Sequence, residues 1–141
     1  MLSTLFPNLQ KEGFKITSPA TLDYNCIAWA ADDTDKIWWP DIQNIGYWPE
    51  GTPRNESLDA FIKAFETLGY TRCDQPDYED GFEKIALYVD VNGKPTHASK
   101  QLRSGLWSSK LGRLEDIEHS IDGVDGSYYG SPVLFMKRPN L

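Results

Sequence analysis

Hydrophobic and polar positions divide the chain into a helical half and a strand half. Leu58, Phe61, Ile62, Phe65 and Leu68 recur three and four apart, which gathers them into one apolar stripe, and Gly69 supplies a C-terminal stop. This spacing predicts an amphipathic helix over 57–69. From Phe82 onward the period falls to two. Ile85, Leu87 and Val89 alternate with Ala86 and Tyr88, and Asn92-Gly93 then marks a hairpin turn. The return strand carries Thr96-His97-Ala98-Ser99. A turn at Arg103-Ser104-Gly105 leads into Leu106-Trp107-Ser108-Ser109-Lys110. Residues 114–119 read as a helical turn, and a last strand runs through Val133, Leu134, Phe135 and Met136. Helices first and an antiparallel meander afterwards is an α+β order.

The N-terminal part is less regular. Pro7, Gly13 and Pro19 interrupt the first twenty residues, so 1–15 are expected as an irregular arm. Thr21, Asp23 or Asn25 can each cap a helix over the Ala-rich run that follows, which places Cys26 in the first turn of a short, largely buried helix. Residues 32–55 are turn-rich and aromatic. Trp38-Trp39-Pro40 and Tyr47-Trp48-Pro49 each put an aromatic before proline, which holds that residue extended and predicts ordered loops. No repeat, low-complexity tract or linker interrupts the sequence, so 1–141 read as one domain.

Composition narrows the function classes. A chain of 141 residues with 40% hydrophobic and 25% charged side chains can bury a core and is not a disordered polymer. A net charge of -7 argues against nucleic acid as a partner, because phosphate binding needs a basic face. No apolar run reaches membrane-spanning length and the start lacks a basic stretch followed by an apolar one, so the expectation is a cytoplasmic protein without a membrane partner. Cys26 and Cys73 are the two cysteines, in no CxxC pair, beside two histidines. That excludes a disulfide framework and gives no basis for a structural metal or other cofactor. A single Cys26–Cys73 bridge in a redox protein is a further, weaker expectation.

The chemistry-bearing residues are few. A nucleophilic cysteine needs its thiolate stabilised, which a helix N-terminus does, and its proton removed, which a histidine does. Cys26 at a helix start and His97 on a strand meet that requirement in kind. Each also has a plainer reading: Cys26, next to Ile27 and Ala28, as a small buried apolar residue, and His97, between Lys94 and Lys100, as a solvent-facing strand residue. Trp38, Trp39 and Trp48 can wall a groove or tie a long loop to the domain. Ser109 and Lys110 are adjacent on one strand and point to opposite faces, so they make no Ser-Lys pair. Gly112 reads as a turn or bulge. Asp32-Asp33-Thr34-Asp35 lacks the closing glutamate of a calcium loop and reads as a solvated turn.

The segments YNCIAWA (24–30), WWP (38–40), YWP (47–49), GFEKIALY (81–88), PTHASKQL (95–102) and GLWSSKLGRLEDIEH (105–119) resemble a family of uncharacterised bacterial domains, over about residues 15 to 138. The order of a Cys-bearing helix, a Thr-His-Ala strand and a Ser-Lys-Leu-Gly strand is similar to papain-like and NlpC/P60-like cysteine hydrolases. That resemblance implies a papain-like α+β fold with Cys26 as nucleophile and His97 as base, acting on a peptide-like or other acyl substrate. It places the orienting residue on the strand after His97, where this chain has Ser108, Ser109 and Lys110. His119, and after it Glu118, are the expected replacements. The resemblance gives the oxyanion the Cys26 amide, with Asn25 or Tyr24 as second donor. The alternative is a non-catalytic binding module that meets a protein partner through Trp39, Trp48 and the loops around them.

Overall fold

The computed structural model describes residues 2–111 and 114–140, and Gly112 lies outside them. The elements run α1 (Leu2–Leu5), α2 (Pro7–Glu12), β1 (Phe14–Ser18), α3 (Cys26–Ala30), α4 (Leu58–Glu66), β2 (Thr71–Cys73), β3 (Phe82–Val89), β4 (Pro95–Gln101), β5 (Trp107–Lys110), β6 (Asp116–His119) and β7 (Ser131–Pro139). The strands form one antiparallel sheet in the order β1-β6-β5-β4-β3-β7-β2. The chain is therefore an α+β domain in which the sheet dominates.

The amphipathic helix forms where its apolar spacing placed it. Ser57 caps α4 by accepting the Ala60 N–H at 3.1 Å. An exposed Asp59–Lys63 pair at 3.3 Å adds only a few tenths of a kcal/mol, so burial of Phe61, Ile62 and Phe65 holds the helix in place. Gly69, at φ +94°, turns the chain out of it.

The sheet is covered on both faces, and the alternation along each strand sorts its residues between two cores. Ile85, Leu87, Ala98 and Met136 face α3 and α4, packing with Ile27, Phe61, Phe65 and Trp48. Ala86, Tyr88, Trp107 and Ile117 face the opposite way, against Leu2, Phe6, Leu9, Val124 and Tyr129. This second cover changes the expectation for the N-terminus. The first residues are α1 and α2, and Phe14–Ser18 form an edge strand. The arm is ordered because Phe6 and Leu9, separated by one helical turn, fill the second core.

Residues 116–119 are likewise a strand. Asp116, Ile117, Glu118 and His119 alternate between the faces, and β6 pairs with both β5 and β1. The acidic composition of that segment resembles a helix start, but pairing on both edges overrides local propensity. Tyr128 and Tyr129 reach Phe6 from a tight turn closed by Gly130, whose φ is +81° and where a Cβ would lie 1.8 Å from the Val89 carbonyl oxygen. Among the described residues no helix is long and apolar enough to cross a membrane.

Because Phe6 is 2% exposed, Phe6→Ala is expected to lower unfolding stability by about 3 kcal/mol. Urea denaturation measures it, and a loss below about 1 kcal/mol would mean that the N-terminal segment is not part of the core.

Candidate functional site

α3 begins at Cys26 because Asn25 caps it. Asn25 is extended, its Oδ1 accepts the Ala28 N–H at 3.1 Å, and the same oxygen accepts the Trp38 N–H at 3.1 Å. Its Nδ2 donates to the Trp38 carbonyl at 2.8 Å. The side chain is thus engaged in the cap and in the aromatic loop, away from the role of oxyanion donor. Cys26 is 6% exposed. Burial pushes its thiol up to about 11, against the pull of the Ala98, Ile27 and Cys26 backbone amides and of Lys110. At neutral pH the thiol is protonated.

Lys110 acts on that thiol, and with it comes Asp116, a residue the sequence does not single out. Lys110 and Asp116 are cross-strand partners on β5 and β6, both fully buried on the face toward α3. Tyr24 donates its hydroxyl to Asp116 Oδ2 at 2.6 Å; burial and then Asp116 push the phenol up to about 12. Tyr24 is therefore committed to a carboxylate. Lys110 donates to the Leu114 carbonyl and lies 5.6 Å from the Tyr24 ring centre. Burial lowers its pKa, while Asp116, Cys26 and Glu115 oppose the shift. The available signal was strand parity: Lys110 shares a face with Ser108, which accepts the Trp29 indole N–H of α3 at 3.0 Å.

His97 lies on the other face. It stands opposite Tyr88 in the β3–β4 register and stacks on Tyr129, with ring centres 4.0 Å apart and planes within 9°. It is fully buried rather than solvent-facing. Its Nε2 is 2.9 Å from Ser109 Oγ, which is 2.6 Å from His119 Nε2 and 2.7 Å from Ser99 Oγ. The proton positions follow from the end of this chain. His119 Nδ1 is 2.6 Å from the Ser120 carbonyl, which only accepts, so in neutral His119 the proton sits on Nδ1 and Nε2 accepts from Ser109. The Ser109 oxygen then accepts from His97 Nε2–H and from the Ser99 hydroxyl. His97 Nδ1 is left as a bare lone pair, with no hydrogen-bond partner among the described residues. Burial holds His119 down at about 4 and, with the neighbouring His119, keeps His97 well below the usual imidazole range.

The structure thus brings His119 to His97 through Ser109, and it leaves Glu118 half-buried on the opposite face of β6. It does not bring Cys26 to His97. Ala98 packs beside Cys26 in the α3 core, and its neighbour His97 must point the other way because strand side chains alternate. No hydrogen bond joins the two among the described residues. Cys26 and Cys73 are both free thiols, one buried in α3 and one half-buried on β2, so no redox bridge is present. Among the described residues no three His, Cys, Asp or Glu side chains are grouped to hold a metal ion.

The aromatic loop divides into packed and displayed parts. Trp38 and Trp48 are 4% and 6% exposed. Their indole N–H groups donate to Asp33 Oδ2 at 2.7 Å and the Pro53 carbonyl at 2.9 Å. Trp48 is T-shaped against Phe61, so it belongs to the core and not to a contact surface. Asp32 and Asp33 also anchor rather than merely face water: Asp32, at φ +63°, joins Lys100 and Arg138 at 2.9 Å each. Trp39 is half-buried and lines an open cleft of about 650 Å³ with Ile37, Ile45 and Tyr47. Ile42 and Ile45, on the rim of the same loop, are 87% and 82% exposed. The loop is held from within. Arg54 donates to the carbonyls of Asp41 and Gly46 at 2.5 Å each, and the Asp41 carboxylate accepts the Ile45 and Gly46 N–H groups at 2.8 and 2.7 Å.

A seven-stranded antiparallel sheet with a buried thiol on one face and a Ser-linked histidine pair on the other defines the class of domain. Over residues 15–137 the chain matches a domain of unknown function, DUF7689, and it belongs to that family. The comparisons with curated proteins and with solved structures each give no match, and none of the comparisons supports the papain-like or NlpC/P60-like likeness.

Both histidines are held neutral, so their folded pKa values lie below the unfolded value of about 6.5. Their contribution to stability is complete above that value and is lost as pH falls toward about 4 for His119. Urea melts are expected to show falling stability from pH about 6.5 downward, with a shallower fall in His119→Gln. Identical pH profiles for the two proteins would contradict the assignment of neutral His119.

Proposed function

We propose that this domain is a recognition module that engages a protein partner through the loop around Trp39 and Tyr47. The observation that carries this reading is the contrast inside one loop. Its polar atoms are satisfied by Arg54 and Asp41, while Ile42 and Ile45 stay in water beside an apolar cleft. Isolated exposed aliphatic side chains are common, but here Ile37, Trp39, Ile45 and Tyr47 line one cleft, with Lys36, Asp41 and Gln43 as its polar members. A loop already fixed in shape gives up little conformational entropy on binding. The fold keeps the thiol protonated and the imidazole lone pair on the far side of the sheet, which this reading does not need.

A second reading is hydrolysis or transfer at an amide or related acyl bond through Cys26. The backbone amides of Ala98, Ile27 and Cys26, which pull the thiol down against burial, favour it, because such donors stabilise a thiolate or an oxyanion. In that reaction the sulfur attacks the acyl carbon, a base takes the thiol proton, and the same base returns it to the leaving group. Lys110 shares the face of Cys26 and acts on its thiol, whereas the His97 Nδ1 lone pair lies on the other face of the sheet.

Alkylation of the two cysteines against pH, read by mass spectrometry, separates the readings. A thiol held up at about 11 is expected to react more slowly than Cys73 at neutral pH, and identically in His97→Ala. Fast labelling of Cys26 that slows in His97→Ala would instead couple the two residues and favour the hydrolase reading. For the recognition reading, a photo-reactive residue at position 42 is expected to give discrete crosslinked partners in cells. These should disappear in Tyr47→Ala and persist in Cys26→Ala; equal loss in both variants would count against the loop.

A further inference from the structure

The charge of the same loop specifies its partner further. Residues 32–56 hold six acidic side chains against two basic ones, within a chain of net charge -7; Asp32 is answered from outside the loop by Lys100 and Arg138. Both bases are spoken for: Lys36 pairs with Asp33 at 3.2 Å and Arg54 with Asp41 at 3.3 Å. Asp35 and Glu50 flank the cleft in sequence, are exposed, and have no ion pair among the described residues. The rim also already accommodates a cation. The Lys36 ammonium lies 5.0 Å from the Tyr47 ring centre while it pairs with Asp33, a carboxylate and a π face around one positive charge. A second copy of this chain meeting it through the same loop would bring like charges together, and anionic phosphate surfaces would be repelled in the same way.

Resting on the recognition reading, we infer that the cleft takes a polypeptide segment of a partner protein in which an apolar side chain is flanked by lysine or arginine. The apolar side chain enters between Ile37, Ile45 and Tyr47. The flanking cations are drawn by the unpaired carboxylates of Asp35 and Glu50, which steer the approach of the segment.

A phage-displayed random peptide library selected on the wild-type domain tests this directly. The selected peptides are then titrated by fluorescence anisotropy against wild type, Ile45→Asp and the double variant Asp35→Lys/Glu50→Lys. These positions are exposed, and circular dichroism melts confirm that the variants fold. The expected peptides carry an apolar residue next to Lys or Arg. They lose roughly tenfold in affinity to Ile45→Asp and roughly fivefold to the charge variant, and they weaken as salt rises. Peptides that need Ile45 but are neutral or acidic, and that ignore the charge variant, overturn the basic partner and leave the recognition reading standing. Peptides indifferent to Ile45→Asp, or no enrichment at all, overturn both. Self-association of the wild-type domain that Ile45→Asp abolishes, seen by sedimentation equilibrium, makes a second copy the occupant and overturns the inference.

Discussion

A strand buried on both faces depends on covers it does not itself supply. Over Lys84–Tyr88, β3 presents no residue to solvent, so α3 and α4 must close one side of the sheet and the N-terminal segment the other. The order of the remaining elements follows from that double cover. β3 and β4 lie in the middle of the sheet, the short strands β1 and β2 take the edges, and the polar side chains within it must find partners there. Ser99, Ser109, His97 and His119 do so among themselves on one face; Tyr24 and Asp116 do so on the other. Buried polar groups tolerate this only when nearly every atom is satisfied, and among the described residues His97 Nδ1, Asp116 Oδ1 and Ser120 Oγ stand out as the exceptions.

The sequence made some of this legible and concealed the rest, for reasons tied to particular residues. Leu58 through Leu68 repeat often enough for the helical period to be read directly, and the turn at Asn92-Gly93 fixed the β3–β4 hairpin. The Asn25 cap was one of three open choices. β6 was hidden because a four-residue strand, Asp116–His119, offers too few alternations for its period to outweigh its acidic composition. The N-terminal helices were hidden because proline and glycine punctuation describes local breaks and is silent about a distant face needing Phe6 and Leu9.

The site shows a sharper limit. Residue types placed Cys26 on a helix and His97 on a strand, and the structure has both there. Whether they meet depends on parity, since moving one residue along β4, from Ala98 to His97, crosses the sheet. Parity relative to a helix packed on one face is a tertiary property, and no local pattern encodes it. By contrast, the separation of Trp39 from Trp38 and Trp48 follows from the hydrogen bonds of their indole nitrogens, which tie two of the three inward.

Asn25 gives the molecule a mechanical property of its own. One amide group both closes the first turn of α3 and clasps the backbone of Trp38, so the thiol-bearing helix and the displayed loop share a fastening. A change at Asn25 therefore reaches both regions at once: the same side chain that caps the helix also holds the strand-like backbone of the loop against it.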